Sequence, residues 1–162
     1  MNLGIYISDL TDGNQLQKIN KLIDDIVNKK EIYDVSIFYD NVAFNPDNTK
    51  CGMFNSTDLW SFNGNLIVTS LYALNTAFNI VNNINIFYYY GWEKEKNVIN
   101  LAMSTRDNVK IICRSESDKK EFYRLTGKKP IGISEDFDNI VDLLLEYKDE
   151  YKSNNNDVYQ TA

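Results

Sequence analysis

The chain has 162 residues, 43% of them hydrophobic and 25% charged, and a net charge of −6. Length and composition fit one globular domain with its own core, and the acidic balance argues against a phosphate-tracking nucleic-acid surface, which needs a basic stripe. Histidine is absent, which removes the Ser–His and Cys–His dyads and the usual zinc ligand, and leaves acid–base chemistry to Asp, Glu, Lys or Tyr.

Cys51 and Cys113 stand alone, in or beside predicted strands, and read as buried thiols. No metal site and no cofactor is expected. No run approaches the roughly 18 apolar residues of a membrane span, and Asp9 and Asp12 follow only a short apolar run, unlike a secretory leader. A cytoplasmic location is the expectation (host cytoplasm if viral). The heavy use of Asn, Lys, Ile and Tyr matches AT-rich coding, as in low-GC bacteria and their phages.

In chain order, Leu3–Ser8 reads as a strand and Asp9–Asn14 as a loop. Leu16, Ile19, Ile23, Ile26 and Val27 have helical spacing and predict a helix over Gln15–Lys29, with Asp12 or Asn14 as cap. Val35–Asp40 is a second strand, Asn41–Lys50 a loop around Pro46, and Cys51–Phe54 a short third strand. Ser56-Thr57-Asp58 opens a short helix over Leu59 and Trp60, which Asn63-Gly64 ends. Strand four is Leu66–Thr69 and the next helix Leu71–Val81. Strand five is Ile84–Tyr89, entered through Asn82-Asn83 and left through an exposed loop, Tyr90–Lys96. A short helix covers Val98–Met103. Strand six is Val109–Cys113, and Ser115 or Ser117 caps the helix behind it. Strand seven is Pro130–Ile133. Ser134 caps the last helix, with Glu135 and Asp136 in its first turn. Residues 151–162, rich in Asn and with little to bury, are expected to be disordered.

Three times an apolar run passes through a small polar residue into a 3.6-residue period: at Thr69-Ser70, at Arg114-Ser115 and at Ser134. Strands alternating with helices in this way predict one Rossmann-like three-layer α/β domain over residues 1–150. The sheet should be mostly parallel, with six or seven strands and helices on both faces. Such sheets take ligands outside the carboxyl ends of their strands. That edge gathers Ser8–Asn14, Thr69-Ser70, Tyr90–Glu93 and Arg114-Ser115-Glu116.

The first loop, with Thr11, Gly13 and Asn14, offers backbone N–H groups to an anion where a helix opens, or is simply a capped turn. Neither G-x-G-x-x-G nor G-x-x-x-x-G-K-[ST] is present, which argues against dinucleotide and P-loop triphosphate binding. Tyr88-Tyr89-Tyr90-Gly91-Trp92-Glu93 combines aromatic faces with an acid, a pairing suited to a sugar ring. The competing reading packs alternate tyrosines under helices and uses Trp92 to plug the sheet edge. Arg114 suits a phosphate or carboxylate, or a structural pair with Glu116 or Glu93. Lys119-Lys120 and Lys128-Lys129 read as solvated surface.

The segments Asn65–Ser70 and Ile86–Glu93, then Val109–Ser117 with its Ser115-Glu116 pair, then Lys128–Asp138, resemble the amino-terminal, acceptor-side half of GT-B glycosyltransferases. The likeness covers most of residues 1–150. It implies a glycosyltransferase-like domain handling a sugar or nucleotide sugar, working with a separate donor-domain chain or as a homo-oligomer. It departs from that family in having Ser134-Glu135-Asp136 where an Asn-Gly type turn is usual, and in lacking the acceptor-half histidine. If such a domain catalyses, position at the strand ends makes Asp9, Asp12 and Glu93 the candidate bases for an acceptor hydroxyl and Arg114 the candidate for diphosphate charge. Thr11, Gly13, Asn14, Thr69, Ser70, Tyr90, Gly91, Trp92, Ser115 and Glu116 complete the candidate ligand contacts. The alternative is a non-catalytic Rossmann-like binding protein, for example a small phage protein engaging a host factor. A receiver-like domain is suggested by Asp9 and Asp40, but Gly91-Trp92-Glu93-Lys94 has the wrong order for its lysine.

Overall fold

The computed structural model describes residues 1–10, 13–27, 34–43, 51–93 and 98–147. Among the described residues there are seven strands: β1 (Asn2–Leu10), β2 (Asp34–Val42), β3 (Gly52–Asn55), β4 (Gly64–Val68), β5 (Ile84–Tyr90), β6 (Val109–Cys113) and β7 (Gly132–Ile133). They form one sheet in the order β3-β2-β1-β4-β5-β6-β7, with every neighbouring pair parallel. The helices are α1 (Gly13–Val27), α2 (Leu71–Phe78), α3 (Val98–Leu101), α4 (Glu116–Thr126) and α5, over 140–147. Short 3-10 turns cover Ser56–Ser61, Ala102–Thr105 and Glu135–Phe137. The sequence expectation of a Rossmann-like three-layer α/β domain is met.

The layers follow from strand alternation. Leu3, Ile5 and Ile7 of β1 face α1 and α5 and pack with Ile19, Ile23, Ile140 and Leu144. Tyr6 of β1 faces the other way, where Leu74 and Ala77 of α2, Leu59, Leu101 and Phe122 cover the sheet. Residues Leu3–Ser8 are all buried, as a strand covered on both faces requires. Each fully buried Leu or Ile contributes about 1.5–3 kcal/mol relative to exposure. The connection from β1 to β2 places α1 on one face. Those from β4 to β5 and from β6 to β7 place α2 and α4 on the other.

Helix ends are set by side-chain caps. Ser70 Oγ accepts from the Ala73 N–H at 3.0 Å, and Ser115 Oγ from the Asp118 N–H at 3.1 Å. Asn14 lies within the first turn of α1 rather than ahead of it, and Asp12 and Lys29 are outside the described residues. Helix α2 stops at Phe78, with Asn79 as its C-cap, short of the expected Val81. Lys128 is not the solvated lysine expected: its ammonium donates to the carbonyls of Ser104, Arg106 and Val109 at 3.2, 2.6 and 2.7 Å. Burial lowers its pKa. Burial also pushes the Cys113 thiol up to about 12 and the half-buried Cys51 thiol up to about 11, as expected of packed thiols. No helix among the described residues is long and apolar enough to cross a membrane.

Gly64 opens β4 at a φ of 140°, and a Cβ there would stand 2.6 Å from the Asn2 carbonyl oxygen. Gly64→Ala is expected to cost about 1–3 kcal/mol, read as a lower urea midpoint at unchanged m-value. An unchanged midpoint would show that β1 and β4 separate freely at this end.

Candidate functional site

Strand order reverses between β1 and β4, so the crevice of this sheet opens where their carboxyl ends diverge. Its floor is made of hydroxyls. Ser8 Oγ at the end of β1 lies 2.9 Å from Ser70 Oγ, the N-cap of α2, and both residues are buried. Thr69, fully buried, donates its hydroxyl to the Tyr6 carbonyl at 3.2 Å. Of the two predicted polar contacts after β4, Ser70 therefore reaches the crevice and Thr69 is used in joining β4 to β1.

Two acids stand at the mouth. Asp9 is exposed and accepts from Asn41 Nδ2 at 2.8 Å. Glu93 ends in exposed surface, yet the protein around its carboxyl raises its pKa, and the nearby Asp9 charge raises it further. Asp12, the third candidate base, and Thr11 lie outside the described residues. Gly13 and Asn14 open α1. Among the described residues no three His, Cys, Asp or Glu side chains gather to hold a metal.

The aromatic segment divides. Tyr90 is the last residue of β5, not the first of a loop. It is 4% exposed, and its hydroxyl donates to Glu121 at 3.3 Å. Burial and the Glu121 charge push that phenol up to about 12. Gly91 adopts a φ of 103°, and a Cβ there would sit 2.7 Å from Asp118 Oδ2, so a larger residue would strain the backbone and displace the Asp118 side chain. Trp92 is half-buried, its ring 4.8 Å from Phe137 and 6.0 Å from Tyr89, with the Lys18 ammonium 5.6 Å above it. Its indole N–H is buried and has no acceptor among the described residues, and the same holds for Gln15 Oε1 as an acceptor.

Arg114 pairs with neither Glu116 nor Glu93. Its guanidinium contacts Asp136 Oδ1 at 2.8 Å through Nη2 and 3.0 Å through Nε, and Lys18 Nζ reaches the same oxygen at 2.9 Å. Burial raises the Asp136 carboxyl, but the Lys18 and Arg114 bonds and charges outweigh it and hold the group below the usual carboxylate range. Ser115 is spent on α4, accepting from Asp118 N–H and donating to Asp118 Oδ2 at 2.6 Å, and Glu116 is exposed in the first turn of that helix.

Ser134 does not cap the last helix. Its hydroxyl donates to the Asp138 carbonyl, and the chain turns through left-handed backbone at Asp136, Phe137 and Asn139 (φ 47°, 69° and 55°) before α5 opens at 140. The reason lies in Tyr89. Its hydroxyl donates to the Ser134 carbonyl and accepts from Phe137 N–H, while its ring stacks on Phe137 at 4.6 Å. Burial keeps that phenol protonated, the form able to donate. The segment thus straps the carboxyl ends of β5 and β6 down toward α1.

A third cluster forms around Asp40, which the sequence singles out only for a receiver-like reading and without its partners. Asp40, near the carboxyl end of β2, accepts from the Tyr6 hydroxyl at 2.8 Å and from Ser56 Oγ at 2.5 Å. Burial, with the Asp40 bond, raises the Tyr6 pKa and keeps it a donor. The available signal was an acid closing an apolar strand next to the central one.

The fold and this crevice define a Rossmann-like α/β domain with an open switch point. Comparison with family models, with curated proteins and with solved structures returns no match.

Asp136→Asn removes the carboxylate that two cations share on a partly exposed surface, and is expected to cost about 1 kcal/mol at neutral pH. Because the folded pKa is depressed, this stability is present above the ordinary value of 3.8 and is lost as pH falls below it. Urea unfolding of both proteins across pH should show a gap that closes at low pH. A gap independent of pH would contradict the assignment.

Proposed function

We propose that this domain handles a sugar or nucleotide sugar at the β1–β4 switch point, as an acceptor-side, glycosyltransferase-like half. The observation that carries the reading is the buried Trp92 N–H with no acceptor among the described residues. A buried donor left unpaired costs about 1–3 kcal/mol, and a ligand hydroxyl or phosphate oxygen would satisfy it while the sugar's C–H face lies on the indole. Glu93, with its raised carboxyl, is better matched than an ordinary carboxylate to take a proton from an acceptor hydroxyl. Arg114 and Lys18 supply positive charge within reach of a diphosphate, and the Ser8 and Ser70 hydroxyls line the floor. A separate donor-domain chain or a second copy would hold the rest of the donor.

A non-catalytic binding domain is the second reading. It is supported by Tyr90 being closed off under α4 and by Arg114 being already neutralised by Asp136.

Thermal-shift titration with UDP-, GDP-, ADP- and CMP-linked sugars separates the two, since a ligand of the native state raises Tm by mass action. One nucleotide sugar is expected to give a saturable rise. Trp92→Phe, which keeps a ring but loses the N–H, should weaken it about tenfold, in line with one buried hydrogen bond. Glu93→Gln should leave binding intact and lower transfer by about 10²-fold or more, with the wild-type rate rising with pH through the raised Glu93 pKa. No rise with any of the four would remove the sugar-handling reading and leave the binding domain.

A further inference from the structure

We propose that a cavity at the opposite, N-terminal edge of the sheet is a second binding site, for a neutral carbohydrate of two or three sugar units. It is independent of the switch-point reading, lying at the other ends of the same strands.

The cavity has a volume of about 790 Å³ and is floored by the starts of β1, β4, β5 and β6 under the end of α5. Inward positions of a parallel sheet covered on both faces are ordinarily apolar. Here, on the face that carries α1 and α5, the inward positions at this end are Asn65, Asn85 and Lys110. Their even-spaced successors Ile67, Phe87 and Ile112 are core. Asn65 and Asn85 are register partners, and Asn85 Nδ2 donates to Asn65 Oδ1 at 2.9 Å. Asn65 is 7% exposed and directs its own Nδ2 at Met1 Sδ. Asn65 thus stands buried where core is the rule, with the exposed Asn85 and the half-buried Lys110 beside it, and all three border the cavity.

The chemistry of the wall narrows the ligand. Its charged side chains are Asp107 and Lys110, of opposite sign. The Lys110 ammonium also donates to the Asp107 carbonyl at 3.1 Å and lies 5.1 Å over the Tyr147 ring. Among the described residues these two side-chain charges cancel, which favours a neutral ligand over a phosphate or carboxylate. A side-chain amide is donor and acceptor at once, as is each sugar hydroxyl. Tyr147, half-buried and edge to face with Phe87 at 5.9 Å, gives an aromatic surface for C–H faces, backed by the buried Phe87 and Leu144. Crossing from β1 to β6 spans about 14 Å at ordinary strand spacing, enough for more than one ring.

The test is an ¹H–¹⁵N titration of the full chain with maltose, cellobiose, lactose and N,N′-diacetylchitobiose, with AMP and glucose 6-phosphate as charged controls. At least one neutral disaccharide is expected to shift the Asn65 and Asn85 side-chain amide signals saturably, with neither control doing so. Asn85→Leu should weaken that binding at least tenfold. The position is exposed, so the folded spectrum should persist. Trp92→Phe should leave it unchanged, which keeps this outcome separate from that of the switch-point site. The proposal is overturned if no disaccharide shifts these signals, if Asn85→Leu binds as well as wild type, or if the charged controls bind equally.

Discussion

Everything in this molecule hangs on the double pairing of β1. It takes β2 on one side and β4 on the other, both parallel, and its residues Leu3–Ser8 are all buried. A strand in that position must be apolar on both faces, so helices have to cover both. Because the chain leaves β1 in one direction along the sheet and returns to β4 in the other, the loops after the two strands part company. The Ser8–Ser70 hydroxyl pair marks that parting. A crevice there is a consequence of connectivity, before any functional residue is considered.

The second constraint works against openness. Tyr89, at the centre of the aromatic run, anchors the segment after β7 by two hydrogen bonds and a ring stack. Asp136 then ties the segment to Arg114 and Lys18. Phe137 in left-handed backbone is an unusual conformation for an aromatic residue and costs on the order of 1–3 kcal/mol. The Phe137 ring, fully buried between Tyr89 and Trp92, offsets that cost. The strap holds Trp92 against Phe137, and the buried Trp92 N–H has no acceptor among the described residues.

The fold was legible because its signals are local. Strand six, Val109–Cys113, and the starts of strands five and α2 fall at the expected residues, since β-branched runs and a Ser cap announce themselves. What the sequence hid was long-range. Ser134-Glu135-Asp136 has the look of a helix N-terminus, and only the distant Tyr89 and Arg114 make it a left-handed turn instead. Lys128 looked like solvated charge, because three carbonyls from a segment some twenty residues earlier leave no pattern around it. At the candidate site, Glu93, Trp92, Ser70 and Arg114 do reach the strand-end edge, because topology alone sends them there. The partners they find do not follow from spacing. The asparagines at the foot of the sheet were read as a matter of coding bias. Asn65 and Asn85 acquire a structural meaning only once they are seen to be register partners joined by a hydrogen bond at the cavity.

The two ends of the sheet thus differ in chemistry. The carboxyl ends gather acids, cations and an indole N–H with no acceptor among the described residues, and the amino ends gather amides, an aromatic edge and the Asp107 and Lys110 side chains around a cavity. Of the chain's two tryptophans, Trp60 is exposed and Trp92 is half-buried against Phe137 and Tyr89. In a Trp60→Phe protein the tryptophan emission therefore comes from Trp92 alone. Titrating that protein with the nucleotide-linked sugars should give a saturable change in Trp92 emission at the same concentrations that raise Tm. A rise in Tm with no change in Trp92 emission would place the ligand elsewhere and contradict a site built at the β1–β4 switch point.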